Sequence, residues 1–177
     1  SMEELVDKVE KELEESSRRS KELLDEVRRL LEESNKKTED LLREVEELLK
    51  DVEREAEEKG SSEEKKDRLR KLADRIRDEL KKVRREDEKS LEEIEDRLRK
   101  AEKEDRDSNR EIRDKLRKDG VDEDVVRDVE RLVEENRERV KRIADEMRKL
   151  VKENEDRARD VVRRLRELVK RLRERVE

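Results

Sequence analysis

Residues 16–31 read SSRRSKELLDEVRRLL, and eighteen positions further on residues 34–49 read SNKKTEDLLREVEELL. The same chemistry returns in the same places: Ser16, Ser20, Leu24, Val27, Leu30 and Leu31 recur as Ser34, Thr38, Leu42, Val45, Leu48 and Leu49. At about 100° per residue, Leu23, Leu24, Val27, Leu30 and Leu31 fall within an arc of roughly 120°, one face of an α-helix. A seven-residue repeat drifts against the helical turn and imposes a left-handed supercoil, and an eleven-residue repeat imposes the opposite hand. Eighteen residues make about five turns, so the apolar seam keeps its bearing and the spacing predicts long, nearly straight helices.

The period continues outward through the chain. Ile76, Asp87, Ser90 and Leu98 return as Ile94, Asp105, Ser108 and Leu116, and Asn136, Val140, Ile143 and Met147 as Asn154, Ala158, Val161 and Leu165. There is no proline to break a helix interior, and the only glycines, Gly60 and Gly120, divide the 177 residues into near-equal thirds. Gly60 after Lys59 reads as a left-handed C-cap, and Ser61 with Glu64 has capping-box spacing. Asp122 is a good N-cap, flanked by Val121 and Val126 at the spacing of a hydrophobic staple. Helices are therefore expected over about 3–58, 62–118 and 122–176, each about 80–85 Å long. Connections this short force antiparallel neighbours. The expected fold class is all-α: one domain over 1–177, an antiparallel up-down-up three-helix bundle.

Composition excludes much chemistry. Charged residues are 63% of the chain and hydrophobic ones 28%, which by composition alone suits a disordered chain. The strict periodicity and a net charge of only -6, from 53 basic and 59 acidic residues, point instead to long helices. Without Phe, Trp or Tyr there is no aromatic platform for bases or sugars. Without Cys or His there is no thiolate nucleophile, no zinc thiolate and no imidazole base or ligand. No apolar run approaches the ~20 residues that span a bilayer, and the beginning of the chain lacks a signal-peptide core.

The apolar stripes are interrupted at six places. Ser16, Ser17 and Ser20 interrupt the first helix, as do Ser34, Asn35 and Thr38; Asp87 with Ser90 and Asp105 with Ser108 interrupt the second; Asn136 and Asn154 interrupt the third. In an up-down-up arrangement, position n of the first helix lies beside about n+119 of the third, and paired numbers of the first and second helices sum to about 122. Position 17 then meets Asp105 and Asn136, and position 35 meets Asp87 and Asn154. The six interruptions collapse into two layers, each with hydroxyl, carboxylate and carboxamide groups that can satisfy one another. An unpaired buried polar group costs roughly 1–3 kcal/mol, so a slipped register that faced these groups with Leu or Val is disfavoured and the layers specify alignment. Waters, ions or a small polar ligand in each layer are the other readings. Asp87 and Asp105 are no acid–base pair, because eighteen residues put them about 27 Å apart along one helix.

Residues 1–60 carry 13 basic and 22 acidic side chains, residues 61–119 carry 22 and 20, and residues 120–177 carry 18 and 17. The acidic end of the first helix (Glu44, Glu46, Glu47, Asp51, Glu53, Glu55) is expected beside Arg163, Arg164, Lys170, Arg171 and Arg173, as interhelical pairs rather than a nucleic-acid or anionic-lipid patch. A di-iron site in a bundle needs Glu-x-x-His motifs, which are absent.

The idealised connector Gly60-Ser61-Ser62-Glu63-Glu64, the eighteen-residue repeat, the paired polar layers and the Glu/Lys/Arg surface without aromatics resemble those of de novo designed helical bundles with buried hydrogen-bond networks, over essentially the whole chain. Natural spectrin-like three-helix repeats have shorter helices and aromatic core residues. The resemblance implies a structural scaffold rather than an enzyme, with no catalytic residues, cofactor or metal and no nucleic-acid, membrane or protein partner. It implies a monomer, soluble and cytoplasmic when expressed recombinantly. The alternative is a helix-exchanging interaction module or conformational switch, because polar layers weaken packing relative to all-leucine ones.

Overall fold

The computed structural model describes residues 2–59 and 63–176. Three helices packed together make up the fold: α1 over Met2–Lys59, α2 over Glu63–Lys118 and α3 over Glu123–Val176, with no strand among the described residues. Acidic side chains occupy the first turn of each helix (Glu3 and Glu4, Glu63 and Glu64, Glu123 and Asp124), and Lys115, Arg117 and Lys118 the last turn of α2. Both placements oppose the helix dipole favourably.

Gly120 lies between α2 and α3 with φ +54°, a left-handed conformation that costs glycine little. The chain leaves α2 with Asp119 N–H donating to the Lys115 carbonyl at 3.2 Å, and the Asp122 carbonyl accepts the first bond of α3 from Val126 N–H at 3.0 Å. Val121 and Val126 pack against the same apolar cluster, as a hydrophobic staple requires. The Gly60-Ser61-Ser62 connector, with its cap and capping box, lies outside the described residues.

The contacts divide the chain into two compact units, each taking a segment of all three helices. The first comprises Ser1–Arg29 and Glu92–Leu150, the second Leu30–Leu91 and Val151–Glu177. In the first unit, Val9, Leu13, Ile112, Leu116, Val129 and Val133 form a buried cluster. Helix direction follows from the cross-helix pairs. Ser16 meets Asp105 and Glu26 meets Arg97, so α2 numbers fall as α1 numbers rise. Ser16 meets Asn136 and Arg28 meets Glu146, so α3 numbers rise with α1. In the second unit the core is built from Leu42, Val45 and Leu49 of α1, Leu69, Ala73, Ile76 and Leu80 of α2, and Val162, Leu165, Val169 and Leu172 of α3. There Ser34 meets Asp87 and Glu44 meets Arg75, again antiparallel. Leu165 and Leu172 are fully buried, each worth about 1.5–3 kcal/mol of transfer free energy.

Candidate functional site

Polar side chains enter the core at one level in each unit. In the first unit, α3 delivers Asn136 with none of its surface exposed, and α1 delivers Ser16 and Ser20, both buried. Their positions follow from the stripe: 9, 13, 16, 20, 24 and 27 all lie on the buried face of α1, at the three- and four-residue steps of one helix face. Ser16 Oγ donates to Asp105 Oδ1 of α2 at 2.5 Å, and Asn136 Nδ2 donates to Ser16 Oγ at 3.4 Å. One hydroxyl thus links the carboxylate of α2 to the carboxamide of α3. Ser17, one residue on and about 100° round the helix, is half-buried and lines an open groove between α1 and α3 with Glu10, Glu14, Arg18, Lys21 and Arg139. The inward hydroxyl that bonds across the core is therefore Ser16's, and not that of Ser17, on which the helix register centres the layer.

The second unit repeats part of this arrangement. Ser34 Oγ donates to Asp87 Oδ1, and Thr38 Oγ1, buried, turns back to donate to the Ser34 carbonyl at 2.8 Å. That bond satisfies the threonine hydroxyl within its own helix. Asn154 is 4% exposed and its side chain hydrogen-bonds no other described residue, Asn35 included. Asn35, Ser90 and Ser108 are half-buried, and with Ser17 and Ser20 they lie at these levels without hydrogen-bonding another described residue. The carbonyl oxygens Oδ1 of Asn136 and Asn154 are both buried without a partner.

Burial pushes the Asp87 carboxyl above the usual aspartate range, since a charge in a low-dielectric site is disfavoured. The Ser34 hydroxyl pulls the other way, nearby Glu86 adds to the rise and Lys37 reduces it. Chemically, each layer offers a carboxylate of α2 accepting from a serine hydroxyl of α1. Among the described residues no group of three or more His, Cys, Asp or Glu side chains could hold a metal ion, and no helix is long and apolar enough to cross a membrane.

A solved structure described as a computationally designed three helix bundle superposes with a TM-score of 0.60 over 99% of this chain and 88% of that one, at 15% sequence identity. This chain has that fold. No protein-family model matches it, and no curated protein does. The neighbour is a bundle and not an enzyme fold, and nothing positive points to catalysis.

The surface pairs differ in part from the sequence expectation. Glu44 pairs with Arg75 of α2, at 3.9 Å, and Arg163 with Asp160 of its own helix, at 3.6 Å. In a three-helix unit each helix flanks both others, and long exposed side chains take whichever opposite charge is nearest. Such exposed pairs contribute at most about 1 kcal/mol each.

Proposed function

We propose that this chain is a designed, monomeric structural scaffold with no natural biochemical activity, its helix register specified by the two polar layers. The observation that carries the reading is the pair of α3 carboxamides, Asn136 and Asn154, buried to 0% and 4% exposure. Asn136 donates to the Ser16 hydroxyl that itself donates to Asp105, and in the second unit Ser34 donates to Asp87. Asn136 donates to Ser16 only in this register, and a slipped register loses that bond. The eighteen-residue repeat, the absence of any aromatic residue and the likeness to a designed bundle support a designed origin.

The test compares registers with and without the polar groups. Spin labels replace Arg28 and Glu146, which pair across α1 and α3 at 2.5 Å. The parent should give one narrow distance distribution. The variant Asp87→Leu/Asp105→Leu/Asn136→Leu/Asn154→Leu should keep its helicity and broaden into several distances, about one helical turn or ~5.4 Å apart. A single unchanged distance in the variant would show that hydrophobic packing alone sets the register. Light scattering behind size exclusion should return the monomer mass; a dimer would defeat the monomeric part of the reading.

A further inference from the structure

In the second unit an open groove of about 390 Å³ runs between α2 and α3. From α2 it is lined by Arg77, Leu80, Lys81 and Arg84. From α3 it is lined by Arg166, Val169, Lys170 and Arg173. Both sets follow the same i, i+3, i+4, i+7 spacing, one face of each helix. The result is a shallow trough with an arginine at each of four corners, two lysines between them and a buried floor of Leu80 and Val169. No acidic residue among those described lines it. Among the described residues none of the six cations makes a hydrogen bond or an ion pair, although Arg70, Arg75 and Arg163 of the same unit each pair with a carboxylate.

The repeat supplies an internal comparison. Eighteen residues away along each helix the equivalent positions are Glu95, Leu98, Arg99 and Glu102, and Arg148, Val151, Lys152 and Glu155. The aliphatic and central basic positions are kept, while three of the four corner positions are glutamate. There the charges cancel: Arg148 pairs with Glu102 at 2.5 Å and Arg99 with Glu95 at 3.9 Å. A further open groove, beside Ser17, likewise mixes Glu10 and Glu14 with Arg18, Lys21 and Arg139. The α2–α3 trough is thus a local departure from the repeat towards uncompensated positive charge, in a chain whose net charge is -6.

We propose that this trough binds a compact polyanion bearing several phosphate groups. Arginine forks at the corners match phosphate oxygens in two-point geometry, and the lysines add point charge between them. Each lining set spans about 10 Å along its helix, which suits a short oligophosphate. A helix N-terminus is not needed, and the low-dielectric floor strengthens the attraction. The chain as a whole repels anions, so any affinity must come from this local cluster.

Calorimetric titration with sodium tripolyphosphate at low salt tests this. The expected result is one site per chain, weakened at least about ten-fold between about 50 and 200 mM NaCl. The triple variant Arg84→Ala/Arg166→Ala/Lys170→Ala should abolish it. The variant Lys100→Ala/Arg110→Ala/Arg113→Ala, which removes the same charge from exposed positions outside the trough, should leave it unchanged. Thermal melts of both variants check that the fold is retained. No binding to the parent overturns the proposal, as does equal loss in the two variants. Tighter binding of hexaglutamate than of tripolyphosphate overturns it too, by making the trough a site for acidic peptide.

Discussion

Replacing Asn136 by leucine should stabilise the protein. The carboxamide is fully buried, its one hydrogen bond is long at 3.4 Å, and its carbonyl oxygen has no partner. Losing the bond to Ser16 costs about 0.5–1 kcal/mol. Removing the orphaned carbonyl returns about 1–3 kcal/mol of desolvation. Burying a leucine adds about 1.5–3 kcal/mol, less about 1 kcal/mol for a larger side chain in a packed site. Ser16 keeps its acceptor, because its hydroxyl donates to Asp105 and not to Asn136. The net gain is about 0.5–4.5 kcal/mol. It should appear as a higher guanidinium midpoint with an unchanged m-value and unchanged helicity by circular dichroism. A stability lowered by more than about 1 kcal/mol would refute this, and would mean that the Asn136 carbonyl is satisfied in solution by a buried water.

Leu165→Ala should cost about 2–5 kcal/mol in the same denaturation assay, since the side chain is fully buried among Leu42, Val45, Ile76 and Leu80; a loss under 1 kcal/mol would mean a loosely packed core. Gly120→Ala should cost about 1–2 kcal/mol from the left-handed backbone alone, because an added Cβ meets nothing within 4 Å; thermal unfolding reads it. For Asp87 the raised folded value means that the native state holds its proton more tightly than the unfolded chain. That contribution to stability is complete below the unfolded value and is lost as pH rises through the folded one. Asp87→Asn, which mimics the protonated form, should therefore gain on the parent as pH rises from about 3 to about 7. A gain that shrinks over that range in pH-dependent denaturation would reverse the assignment.

Much of the fold is written in local pattern. Three apolar stripes, the absence of proline and the placement of Gly120 are enough to place the helices, since each is a property of neighbouring residues on one helix. The polar levels are visible for the same reason, as breaks in a periodic stripe. What the pattern does not carry is the last 100° of rotation. Whether Ser16 or Ser17 faces inward depends on how α1 is turned against its neighbours, and the structure turns Ser16 in. The two orphaned carbonyls are equally invisible in sequence, because Asn154 could have met Asn35, and only packing decides that Asn35 stays half-buried. Thr38 could have bonded across the core but bonds its own helix. The partner choices of Glu44 and Arg163 depend on side-chain rotamers. The cationic trough is legible only in hindsight, from a break in the repeat at Arg77, Arg84 and Arg173.

The sequence holds four asparagines and no glutamine, so the chain has only four side-chain amide groups: Asn35, Asn109, Asn136 and Asn154. Deuterium exchange of these groups, followed by NMR, should leave Asn136 and Asn154 protected long after Asn109 has exchanged. Four amides exchanging together at the rate of an open chain would mean that the α3 carboxamides face solvent, and neither polar layer would exist.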